Sequence, residues 1–120
     1  MAELNGPHGV FVSNGEIFIA DTLNHRVRKV LRNGQIVTIC GTGIQGYNGD
    51  GQLATEAQLD TPFSVVVSSS NQVYISDMGH RVRKIGRHGI ISTIAGTGEQ
   101  GYNGDDQLAV NAELNCPDGL

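Results

Sequence analysis

Short apolar runs separated by polar turn residues recur along the whole chain. Val10-Phe11-Val12 is followed by Ser13-Asn14-Gly15 and then by Ile17-Phe18-Ile19-Ala20, which predicts a β-hairpin. After Asp21 to Asn24, the run Arg26-Val27-Arg28-Lys29-Val30 alternates charged and β-branched residues, as on a strand with one solvated face. Asn33-Gly34 separates it from Ile36-Val37-Thr38-Ile39 and is the strongest short hairpin signal in the chain. The pattern then returns as Val65-Val66-Val67, Val73-Tyr74-Ile75, Arg81 to Ile85 and Ile90 to Ile94, with His88-Gly89 in the corresponding turn. Between the two sets lies the glycine-rich stretch Gly41 to Gln58, whose end, Leu53 to Ala57, reads as a single helical turn.

The return is a repeat in the strict sense. His25 to Val65 matches His80 to Leu120 at 25 of 41 positions, including glycines, charges and turn residues, which is far beyond chance. Pro7, Pro62 and Pro117 hold the same spacing of 55, as do Ala2-Glu3-Leu4, Ala57-Gln58-Leu59 and Ala112-Glu113-Leu114. Residues 1–56 are therefore one unit with its connector, 57–111 a second, and 112–120 the start of a third, redundant with 2–10. The second unit inserts one residue in its first turn and drops one after Asp77; loops absorb both changes and the strands stay in register. A period of this length predicts blades or solenoid units that bury little surface alone and need neighbours. Four short antiparallel strands per unit describe a β-propeller blade, so the expected fold is all-β with two blades per chain. The apolar first two strands place the start of each unit innermost, and the basic third strand nearer the rim.

Composition narrows the function classes. Of 120 residues, 17% are charged and the net charge is −4, with twelve carboxylates against eight basic residues, which argues against an electrostatically driven nucleic-acid binder. No apolar run is long enough for a membrane span, and no secretory signal opens the chain. Cys40 aligns with Ala95, and Cys116 with Gly6 and Thr61, so neither cysteine belongs to the repeated scaffold. Two ordinary thiols are expected rather than a disulfide framework or a metal site, and they lean towards a reducing, cytoplasmic compartment.

Three constellations carry chemistry worth weighing. Asp21, His25 and Arg26 recur as Asp77, His80 and Arg81; a carboxylate beside an imidazole can orient it for proton transfer or metal ligation. Recurrence in every unit favours a structural role instead, a cross-brace of the turn that satisfies buried backbone groups. Asn48 and Asp50, repeated as Asn103 and Asp105, offer loop oxygens to a ligand such as calcium, but without the spacing or closing glutamate of an EF-hand. Turn formation accounts for them without an ion. Arg26, Arg28, Lys29 and Arg32, with Arg81, Arg83, Lys84 and Arg87, form a basic stripe per unit, though with few interleaved aromatics and no Trp. Gly41-Thr42-Gly43 lacks the lysine of a P-loop, and no nucleophile elbow is present. No catalytic residue, cofactor or metal is expected.

The blocks IADTLNHRVRKV and GTGIQGYNGD, recurring in order, resemble the NHL repeat, whose Asn-His-Leu triplet here reads Asn24-His25-Arg26 and then Gly79-His80-Arg81. The second copy loses the asparagine and carries Ser76 before Asp77. The resemblance implies a six-bladed propeller of the kind that serves as a protein-interaction or RNA-binding module. The expected function is a non-catalytic scaffold that self-assembles into a closed ring, as a homotrimer of six blades or, as runner-up, a tetramer of eight. The alternative is a binding module whose loop face takes a protein partner or RNA. In such a ring residues 112–120 and 2–10 compete for one position, and the N-terminal copy is expected to fill it.

Overall fold

The computed structural model describes all 120 residues as two four-stranded antiparallel sheets with no α-helix. The first sheet is β1 (Val10–Ser13), β2 (Glu16–Asp21), β3 (Arg26–Val30) and β4 (Ile36–Cys40), each strand paired with its sequence neighbour. The second is β5 (Pro62–Val67), β6 (Val73–Asp77), β7 (Arg81–Ile85) and β8 (Ile91–Ala95), in the same order. All eight strands fall on the apolar runs of the sequence because each run is short, β-branched and closed by a turn. Asn14 and Gly15 both take positive φ between β1 and β2, as a tight hairpin requires.

Equivalent irregularities mark both blades. Register shifts opposite Val27/Arg28 and Val82/Arg83, where Ile39 and Ile94 are the extra residues of their strands. Such a bulge bends the outer strand and steers the chain into the connector. Short 3-10 turns at Ala54–Glu56 and Ala109–Asn111 occupy the place of the expected helical turn, and a third, Thr22–Asn24, links β2 to β3.

The blades pack face to face, but unequally. On one face of blade 1, Phe18, Ala20, Val27 and Cys40 meet Val65, Val73, Ile75, Ile85 and Ile91 of blade 2 in one buried cluster. The other face of blade 1, with Val10, Val12 and Ile17, is open to solvent. Only 21 of 120 residues are buried, so a large part of the apolar surface of both sheets has no cover. The stretch 41–58 is not a passive spacer. It crosses from blade 1 onto the outer strand of blade 2, where Gly51 N–H bonds to the Ile91 carbonyl, Ile91 N–H to Gln52 and Ala54 N–H to Gly89.

Candidate functional site at the blade junction

The Asp, His and Arg of each unit were expected to brace one turn, but the structure sends them in three directions. Asp21, wholly buried, accepts the Asn5 N–H at 2.8 Å and the Asn24 side-chain amide at 3.0 Å, fixing the lead-in to its own first strand. Asp77 does the same for blade 2, accepting from Asp60 N–H at 2.9 Å and Gly79 N–H at 2.6 Å. His25 sits in left-handed backbone conformation, φ 52°, which turns its ring forward to the next blade, where Nδ1 accepts the Thr61 N–H at 3.1 Å. His80 accepts the Cys116 N–H at 3.0 Å in the same way. An imidazole held as an acceptor from a backbone amide is engaged in structure rather than poised as a free base.

The arginine points outward along the blade. Arg26 Nη2 donates to the Thr42 carbonyl at 3.1 Å, and Arg81 to Thr97 at 3.0 Å. That arrangement accounts for the Gly-Thr-Gly blocks. At Gly41, φ is +97° and a Cβ would strike the His25 carbonyl oxygen, while at Gly43 it would meet the Arg26 guanidinium at 2.5 Å. The blocks let the chain leave the outer strand while pressed against the His-Arg turn.

Asn48 and Asp50, considered as ligand oxygens, are both committed within the protein. Asn48 Oδ1 accepts Gln58 N–H at 2.8 Å and its amide donates to the Glu56 carbonyl at 3.1 Å, closing the connector on itself. Asn103 makes the same bonds to Glu113 and Asn111. Asp50 Oδ1 takes Arg83 Nη2 at 2.9 Å and the Thr93 hydroxyl at 3.1 Å, and Gly49 gives its carbonyl to the same guanidinium. Tyr47 lies against Arg81 and Arg83, with guanidinium carbons 3.6 Å and 4.9 Å from the ring centroid. Asp105, the counterpart of Asp50, meets only the Tyr102 hydroxyl, at 3.1 Å. No group of three or more His, Cys, Asp or Glu side chains is placed to hold a metal ion.

Sequence reading named Arg28 and Arg83 only as members of a basic stripe, and passed over Tyr47. The signal for them was present: Tyr47 and Arg28 recur 55 residues on as Tyr102 and Arg83, and the tyrosine of the first unit meets the arginine of the second across the junction. Burial pushes the Asp77 carboxyl up from 3.8 to about 6, against its two backbone donors and Arg83, which favour the anion. Burial likewise pushes the Cys40 thiol up to about 12, the behaviour of a core side chain rather than a nucleophile. Both cysteines are free.

The raised Asp77 value has a definite sign. Between pH 3.8 and about 6 the folded chain holds a proton that the unfolded chain has lost. The stability this group contributes is complete below that window and falls by ~3 kcal/mol as pH rises through it. Asp77→Ala should destabilise at every pH, by about 1–3 kcal/mol at neutrality through the unpaired Asp60 and Gly79 amides, and by more at pH 4. Urea unfolding of both proteins at pH 4 and 7 measures this; equal losses at the two pH values would refute the assignment.

A cleft of about 590 Å³ opens between the blades, lined by Phe18, Lys29, Arg32, Val67, Val73 and Ile85 among others. Its carboxylate, Glu16, is paired with Lys29 at 3.0 Å, and no hydroxyl in it donates to an imidazole or carboxylate. No helix in the structure is long and apolar enough to cross a membrane.

Comparison with known proteins agrees with this architecture. Residues 40–118 match the family model described as the teneurin NHL domain, and residues 4–30 match the NHL repeat. NHL repeat-containing protein 2 of Gallus gallus is 41% identical over 71 residues, 58% of this chain and 10% of its own length. Teneurin-3 of Danio rerio is 33% identical over 100 residues, 71% of this chain but 4% of its own. The chain thus spans a tenth or less of these relatives. Among solved structures, a Bacteroides thetaiotaomicron protein of unknown function superposes with a TM-score of 0.82 at 24% identity, covering 99% of this chain and 31% of its own. An auxiliary nutrient binding protein of Bacteroides ovatus gives 0.68 at 26% identity, covering 87% of this chain and 29% of its own. Two family models matched over most of the sequence, on two sheets of the required order, place the chain in the NHL-repeat family.

Proposed function

We propose that this chain is a non-catalytic interaction scaffold, a two-blade propeller unit that, as a 120-residue chain, associates with copies of itself into a closed ring. One observation carries the reading. The face that blade 2 buries against blade 1 is the same face that blade 1 leaves open: Val65 is 2% exposed and Val73 7%, whereas their counterparts Val10 and Ile17 are 61% and 36% exposed. A soluble protein rarely leaves such a sheet face uncovered. Because one blade's front meets the next blade's back, the contact is head-to-tail and ends only when the rotation closes.

Six blades, and so a homotrimer, are favoured over the eight of a tetramer. Six is the number that the NHL-repeat relationship implies. The engagement of both histidines with backbone amides supports the non-catalytic reading. A protein partner or RNA on the loop face of the assembled ring is the second reading, supported by the family relationship; a pulldown with and without ribonuclease separates those two. The ring itself is tested by sedimentation equilibrium across micromolar concentrations. Mass above that of one chain, rising with concentration to a plateau, is expected; a single species of one chain throughout contradicts the proposal.

A further inference from the structure

The contact between the two blades is a template with half of its parts left over. On blade 2, the connector of the preceding unit provides Tyr47 against Arg81 and Arg83, Asp50 against Arg83, and the Gly49 carbonyl on the same guanidinium at 2.9 Å. Blade 1 carries the receiving pair, Arg26 and Arg28; its own connector meets Arg26 through the Thr42 carbonyl, but no tyrosine ring and no connector carboxylate lies against either guanidinium. The connector of blade 2 carries the donating set, Tyr102, Gly104 and Asp105, which meets no blade within these 120 residues. Tyr102 is 75% exposed.

The arginines show the difference that docking makes. Arg83, covered by Tyr47, is 1% exposed and bonds to Asp50 of the preceding connector. Arg28 has no such carboxylate and lies instead on Asp21 of its own blade, at 3.3 Å. The geometry points to a latch between copies: the 96–111 connector of one chain docks on blade 1 of a second copy, with Tyr102 stacked on Arg26 and Arg28 and Asp105 drawing Arg28 off Asp21. This docking presupposes the self-association proposed above and assigns its specificity to four side chains, Tyr102 and Asp105 on one copy and Arg26 and Arg28 on the other. The occupant is a second copy because the chain itself carries both complementary halves, in the geometry already realised at its internal junction. Cation–aromatic stacking and a shielded carboxylate–guanidinium pair are both stronger once water is excluded.

Three variants test it. Tyr102→Ala and Asp105→Arg alter exposed residues, and Val12→Arg places a charge on the open face of blade 1, where Val12 is 65% exposed. Circular dichroism should therefore show each folded as the wild type is. Tyr102→Ala combined with Asp105→Arg should weaken self-association by about tenfold or more. Val12→Arg should block the opposite end. Because the contact is head-to-tail, mixing the two defective proteins in equal amounts should restore one sound interface and give a mass of two chains. Wild-type assembly that survives Tyr102→Ala with Asp105→Arg would overturn the latch and leave the ring standing. A monomeric wild type would remove both, and a mixture that stays monomeric would overturn the head-to-tail latch.

Discussion

Replacing Gly41 with alanine should destabilise the protein by about 3 kcal/mol or more, a large effect for one methyl group. Two costs combine. The residue has φ +97°, a conformation that L side chains rarely adopt, and the added Cβ would press on the His25 carbonyl oxygen and lie 2.9 Å from the Arg26 Cα. Neither obstacle is a flexible side chain, so the backbone itself would have to move. That movement would pull on Gly41 N–H, bonded to Ala54 at 3.0 Å, and on His25, whose ring holds Thr61 at the start of blade 2. Chemical denaturation should show a lowered midpoint in Gly41→Ala, while Gly34→Ala, at a turn glycine with nothing within 4 Å of its Cβ position, should cost clearly less. Equal losses at the two sites would show that φ alone, and not the close approach, governs Gly41.

Deleting Ala112 to Leu120 should tighten self-association by about tenfold or more. In the single chain this segment occupies blade 2: Cys116 N–H takes His80, the Asp118 carbonyl accepts from the Ser76 hydroxyl at 2.8 Å, and Leu114 receives Gly101 N–H. Residues 2–10 of an incoming copy, aligned with it position by position, require the same partners. A blade occupied by its own tail is competent for docking only in the fraction of molecules whose tail has left, which weakens the apparent affinity by that fraction. The incoming segment has the advantage that its β1 is already attached, so its placement closes only a short loop. Asn111 is retained because its carbonyl holds Asn103 and so shapes the connector. Loss of assembly on deletion would show instead that the C-terminal segment is the copy used in the ring.

The eight strands were legible because each is a short run closed by its own turn residues, and the 55-residue spacing revealed the unit. The blade junction was less legible for a physical reason. Asp21, His25 and Arg26 are adjacent in sequence, which suggests one brace, yet the left-handed backbone at His25 directs the imidazole to the next blade and leaves Asp21 facing back. Tyr47 and Asp50 lie among turn residues and read as a loop, because the arginines they meet are more than thirty residues away in the following unit. Pattern within a repeat encodes the blade; contacts between repeats appear only as equivalent residues in both copies. Neither the bulges at Ile39 and Ile94 nor the 3-10 turn at Thr22–Asn24 leaves a clear mark in hydrophobic period, since each is fixed by how the strand meets its neighbour.

The open face of blade 1 is the centre of this account, and its occupant is counted most directly by absolute mass. Multi-angle light scattering of the 120-residue chain at micromolar concentration should report three times the 12.7 kDa chain mass, the count that closes six blades. A stable monomer of 12.7 kDa under the same conditions would contradict it.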